Sequence, residues 1–150
     1  MMKVKTASLA LIALLQGCAS TAPTDLRDLQ NDFAKDPPAE YESVLSDFFS
    51  FATAGDIRRM LSLTSDVTLM QEGSVHLSKM YQNDISPSLL RCEHLTDGGD
   101  VVHVTKRSSG TGSGWIFIKG CTNPKYAMNK VKFVLLRENG RIVVSYVGPG

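Results

Sequence analysis

The sequence predicts an α+β fold: a helical hairpin plus a third helix, packed on a curved antiparallel sheet of about four strands, cone-like in outline. Apolar residues in the first half of the domain recur at helical spacing, whereas those beyond residue 100 recur at every second position. Between two of the later runs stands Asn139-Gly140, a pair suited to a type I′ hairpin turn because both central residues need positive φ. Helices first and strands afterward make segregated layers rather than βαβ units.

Each element has its own signal. Tyr41, Val44, Leu45, Phe48, Phe49 and Ala52 form one continuous apolar face, so the domain opens at Glu40 with a helix. Gly55 suits the position just past its end, and Asp56 can cap a second helix that buries Ile57, Met60 and Leu61 and leaves Arg58 and Arg59 in solvent. Residues 67–75 are expected to form a short strand through Val67 and Leu69, closed by Gly73. Leu77, Met80, Tyr81, Ile85 and Leu89 predict a third helix over residues 75–90, which Pro87 should break or reopen as a new turn. Strands follow over residues 101–106, 114–120, 130–137 and 141–147, rich in Val, Ile, Phe and Trp. A Ser/Gly connector spans residues 107–113.

The run VLSDFFSFATAGDIRRMLSLTSDVTLMQEGS, with a helix after it and a final Phe-Val-Leu-Leu…Asn-Gly-Arg-Ile-Val-Val hairpin, resembles the nuclear-transport-factor-like, cystatin-like superfamily. The resemblance implies a cone with a pocket between sheet and helices. That superfamily hosts enzymes, small-molecule binders and interaction modules, so the fold alone selects no activity.

Ahead of the domain, Lys3 and Lys5 precede an apolar run that ends in Leu15-Gln16-Gly17-Cys18. A basic start, a short apolar stretch and a small residue before the cut make a secretory signal too short to span a bilayer. The cysteine directly after the small residue resembles a bacterial lipoprotein signal, although Gln16 departs from the usual residue there. The resemblance implies that residues 1–17 are removed, that Cys18 is lipidated, and that Ser20 directs the protein to the outer membrane. Several acyl chains, each contributing about 0.8 kcal/mol per buried methylene, suffice for stable anchoring. Residues 18–39 then form a lipidated N-terminus and flexible tether, with a weak apolar spacing at Leu26, Leu29 and Phe33, and residues 40–150 form one domain. The expected location is the periplasmic face of the outer membrane.

Formal charge is +1 over the whole chain and becomes slightly negative once Lys3 and Lys5 leave. No strong field of either sign points to nucleic acid or to a polybasic membrane contact. With Cys18 assigned to lipid, Cys92 and Cys121 remain, and an oxidising compartment predicts that they pair. Closing a loop of that length is worth roughly 3–4 kcal/mol in unfolded-state entropy. A metal pair with His94, or a reactive thiol, is the alternative, but no further ligand spacing supports it.

Chemical motifs are sparse. His76, His94 and His103 lack metal-ligand spacing. Of these, His103 lies in an alternating strand and, if it faces the cone interior, is a candidate acid or base with Asp56, Asp66 or Asp84; a hydrogen-bonded surface histidine is the plainer reading. Tyr81, His103 and Asp84 are the candidate pocket residues. Residues 108–114 are rich in glycine but lack the Gly-Lys-Ser/Thr ending and following helix of a phosphate cradle, so they read as a hairpin loop. Beside that loop, Lys106, Arg107 and Trp115 are candidate protein contacts, with core packing the alternative for the tryptophan. No catalytic residue, metal site or cofactor is assigned.

Two functional expectations follow. The first is a non-catalytic module that binds a periplasmic protein, as an assembly accessory of an envelope machine or an immunity or inhibitor protein against a cell-wall-directed effector. The second is a pocket protein that binds or converts a small apolar molecule.

Overall fold

The computed structural model describes residues 36–97, 101–104, 114–123 and 130–150. The expected signal peptide, Cys18 and most of the tether lie outside these residues, as do Lys106, Arg107 and the connector over residues 107–113.

Helix α1 covers Ala39–Thr53 and buries Tyr41, Leu45, Phe48 and Ala52 on one side, the face that its spacing predicts. Its end is closed by Gly55 at φ 71°. There the Asp56 amide donates to the Phe51 carbonyl at 2.8 Å and the Gly55 amide donates to the Ala52 carbonyl at 3.0 Å. This six-to-one, five-to-two pair satisfies carbonyls that the helix end would otherwise orphan. Asp56 then caps α2 (Ile57–Ser62), accepting from the Arg59 amide at 3.1 Å.

Residues 67–75 do not form the expected strand. Asp66–Glu72 is a third helix, α3, ended by Gly73 at φ 80°. The reason lies in its N-terminus. Ser65 accepts from the Thr68 amide at 3.3 Å and donates to a Glu138 carboxylate oxygen at 2.5 Å, while the other Glu138 oxygen accepts from the Asp66 amide at 3.1 Å. A side-chain cap backed by a carboxylate at the positive end of the helix outweighs a two-residue alternation of Val67 and Leu69.

Helix α4 runs through Ser74–Met80, a π-helical turn at Tyr81–Ile85 and Ser86–Cys92. Pro87 stands in the first turn of the last segment, as a residue without an amide hydrogen can. It reopens the helix rather than ending it. The π turn widens the ladder just ahead of the proline, and Ser86 donates its hydroxyl to the Ala52 carbonyl at 2.5 Å across to α1.

Strands β1 (Leu95–Thr96), β2 (Val101–Val104), β3 (Gly114–Cys121), β4 (Lys130–Glu138) and β5 (Arg141–Pro149) form one strongly curled antiparallel sheet ordered β1-β3-β4-β5, with β2 also paired to β3. Asn139 at φ 48° and Gly140 at φ 78° make the predicted type I′ turn between β4 and β5. A bulge between Val134 and Leu135 shifts the register of that hairpin and adds to its curl. At the edge of β5, Ser65 donates its amide to the Val144 carbonyl at 2.8 Å and Val144 donates to Leu63 at 2.7 Å, so the end of α2 covers part of the edge.

The core lies between the two layers. Phe48, Phe117 and Phe133 are fully buried. Phe48 meets Tyr81 and Phe133 edge to face, with ring centroids 5.7 and 6.4 Å apart. Cys92 and Cys121 are joined by a disulfide that ties the end of α4 to the end of β3. Beside it Thr122 reinforces the junction, donating its amide to the His94 carbonyl at 3.1 Å and accepting from the His94 amide at 3.2 Å. No helix among the described residues is long and apolar enough to cross a membrane.

Candidate functional site

A groove of about 530 Å³ wraps the β5 edge. One wall is helical: Gln71 and Glu72 from the end of α3, then Met80 and Tyr81 from α4. The other is a row of side chains across the outer face of the sheet, where Ile116 pairs with Val134 and Val134 with Tyr146. Such a row follows from alternation: with a period of two, the neighbours of the core residues Trp115 and Phe133 must point away from the helices.

Tyr146, 45% exposed, is held along this face. The Lys132 Nζ stands 5.1 Å from its ring centroid, and Gly148 leaves room for its hydroxyl, since a Cβ there would lie 2.4 Å from it. At the groove floor the bulged residue Ser145 accepts a hydrogen bond from the Thr68 hydroxyl at 3.1 Å. Met70 and Val75, 78% and 70% exposed, flank in sequence Gln71, Glu72 and the short link into α4 and are not part of the groove lining.

Tyr81 is the one candidate pocket residue placed in this groove. Its hydroxyl lies 3.0 Å from that of Thr64, which also donates to the Met60 carbonyl at 3.0 Å. Either hydroxyl can be the donor in that pair. Burial pushes the phenol above its ordinary value, because the phenolate would lose its hydration; the bond to Thr64 offsets this in part. The phenol is held by Thr64 and stays protonated rather than poised as a base.

Of the expected Tyr81, His103 and Asp84 constellation, Tyr81 lines the groove, Asp84 does not, and the His103 side chain lies outside the described residues. Asp84 is exposed on the π turn and is absent from the groove lining. The reason is angular: three residues on, the widened turn points its side chain outward while Tyr81 points in. His103 pairs in register with Trp115, and its side chain lies outside the described residues. The other partners weighed for it have local duties, Asp56 as the α2 cap and Asp66 3.8 Å from Arg141.

Trp115 is also corrected. It is 6% exposed and belongs to the main core, so it is no surface anchor. Its strand is apolar on both faces, and the larger ring goes to the face where the helices supply cover. His94 sits beside the disulfide rather than in a metal site, and no group of three His, Cys, Asp or Glu residues that could hold a metal occurs among the described residues.

The groove residues Glu72, Lys132, Ser145 and Tyr146 were not singled out from the sequence. A signal for the site does exist. Ile116-Phe117-Ile118 and Phe133-Val134-Leu135-Leu136 are apolar at successive positions, and unbroken apolar strands mean that both faces of a sheet are withdrawn from water. Comparison of the chain with protein-family profiles, with curated proteins and with solved structures found no match to any of them.

Proposed function

We propose that the chain is a lipoprotein anchored to the periplasmic face of the bacterial outer membrane through Cys18, and that its domain is a non-catalytic module that binds another periplasmic protein. The role that fits is an assembly accessory of an envelope machine, or an immunity or inhibitor protein against a cell-wall-directed effector. The Leu15-Gln16-Gly17-Cys18 motif supports the location. So does the Cys92–Cys121 disulfide, which suits an oxidising compartment.

The binding reading is carried by one observation: the groove is open and carries the half-exposed ring of Tyr146 on its sheet wall, with the exposed side chains of Met70 and Val75 close by in sequence to its helical wall. Aromatic and methionine side chains presented this way are typical of protein contacts. The chemistry in the groove is that of recognition. Lys132, Glu72 and Gln71 supply charge and hydrogen-bonding groups at its sides.

Acylation is tested with labelled palmitate, which the wild-type chain should take up and Cys18→Ser should not. Label retained on Cys18→Ser would refute the anchor. Partner binding is tested by affinity capture from envelope extract with Tyr146→Ala and Met70→Ser. Capture that survives both changes removes the groove from the interface and leaves the segment of Lys106 and Arg107 as the surface to test, by deletion of residues 109–112.

A second reading, a pocket for a small apolar molecule, is favoured by the reach of the groove from half-exposed Tyr146 to the buried residues Leu77 and Tyr81. It predicts that Tyr81→Phe impairs ligand binding while Tyr146→Ala does not, the reverse of the first reading.

A further inference from the structure

The sheet has a second buried apolar face. Alternation sends Trp115, Phe117, Phe133 and Leu135 toward the helices and Ile116, Val134, Leu136 and Val143 the other way; across the strands Ile116 pairs with Val134, and Leu136 with Val143. Val134, Leu136 and Val143 are only 7%, 5% and 1% exposed. Yet the cluster that they form with Ile116 contains strand residues alone among those described. In a two-layer fold the outward face of the sheet is ordinarily wet, so side chains withdrawn this far from water need a cover.

We propose that the cover is the chain's own tether: residues 25–33 fold back as two helical turns and seat Leu26, Leu29 and Phe33 on Ile116, Val134, Leu136 and Val143. The spacing i, i+3, i+7 puts the three side chains on one stripe. A helix rising 1.5 Å per residue places the ends of that stripe roughly 10 Å apart. Three strands at about 4.8 Å spacing give the outer face a similar width.

The point of entry agrees. The first turn of α1 is tied to the sheet by an ion pair between Glu40 and Arg137, and Arg137 adjoins Leu136 in β4. The chain therefore reaches the domain on the helical side of the sheet, at the Arg137 end of β4. Pro38 holds φ −55° and ψ 137°, and with Pro37 before it α1 cannot extend backward, so the preceding residues must leave on another course. Residues 34–38, up to about 17 Å when extended, are enough to pass from one side of the sheet to the other.

Charge is complementary as well. The same helical spacing lines Asp25, Asp28 and Asp32 along one flank of the stripe. Lys132 stands on the outer face two positions from Val134, its Nζ at the Tyr146 ring. The inference depends neither on acylation of Cys18 nor on a partner for the groove.

The test uses the full exported chain with a photoreactive benzophenone amino acid at position 29, illuminated in cells and mapped by tryptic mass analysis. The expected product is a link within one chain to the peptide of residues 133–137, which holds Val134 and Leu136. Leu26→Asp with Phe33→Asp, changes confined to the tether, should lower its yield at least about tenfold by removing the local concentration that docking provides. Links that join two chains, reach another protein, land on peptides of the helical layer, fail to form, or persist at full yield in the double variant would each overturn the proposal.

Discussion

The inner and outer faces of this sheet are built from the same strands, yet their side chains meet different company. Inward, Phe117, Phe133 and Leu135 are packed against Phe48, Met60, Leu77 and Tyr81, helix residues brought from far along the chain. Outward, Val134, Leu136 and Val143 form an apolar cluster with Ile116 that holds strand residues alone among those described. One face therefore holds the two layers together. The other joins the strands to one another and takes no apolar residue from the described helices. The difference teaches that apolar alternation places a side chain on a face but does not say what meets it there.

The comparison is sharpened first by truncation. Phe48→Ala should lower stability by about 3–5 kcal/mol, since it leaves a cavity between Tyr81 and Phe133. Val143→Ala on the outer face should lose only about 1.5 kcal/mol, the transfer value of two methylene-sized groups. Denaturant melts of both variants check this, and equal losses would mean that the two faces are structurally equivalent.

Next in size is the staple between layers. Replacing Cys92 and Cys121 together with serine should reduce stability by roughly 3–4 kcal/mol through the larger entropy of the unfolded chain. Non-reducing mass analysis of the exported protein should show both thiols consumed. Two free thiols there would remove the oxidising-compartment argument along with the link.

Tyr81 spans the core and the groove, and its effect is smaller. Tyr81→Phe removes one hydrogen bond, to Thr64, and should cost about 1 kcal/mol. The pH dependence has a definite sign. A phenol raised in the folded state supports stability fully below its unfolded value near 10, and that support is lost as pH rises through the folded value. Alkaline unfolding curves should therefore be less steep in Tyr81→Phe, and identical curves would show that the phenol does not carry the dependence.

The smallest effect is at the sheet's far edge, where Lys119 contacts Asp97 at 2.9 Å. The hydrogen bond and charge of Lys119 hold the Asp97 carboxyl below the ordinary carboxylate range. Asp97 is fully in solvent, so a carbon-detected titration rather than a melt is the measure. Lys119→Ala should return the titration to its ordinary position.

Much of this architecture was legible in short windows. Phe48 and Ala52 follow from helical spacing, Gly55 and Asp56 from capping chemistry, and the β4–β5 hairpin from Asn139-Gly140, because each of these depends on residues within a turn or two. Residues 66–72 were not legible. Val67 and Leu69 alternate like a strand, and what makes them a helix is Glu138, 73 positions from Ser65, at its N-terminus. Asp84 failed as a pocket residue for a similar reason, since a π turn alters the angle between side chains that a regular helix would have kept near one another.

By itself the sequence determined the α+β class, the order of the main elements, the hairpin turn and the cysteine pairing, because local geometry, period and cysteine arithmetic carry that information. Only the tertiary structure decided that Trp115 turns inward to the core, that Tyr81 pairs with Thr64, and that the groove forms where the β5 edge meets α3 and α4. These depend on which surfaces compete for cover. A strand apolar on both sides can bury either one, and the choice falls to the face that the helices reach, at contacts separated along the chain by far more than any local pattern spans.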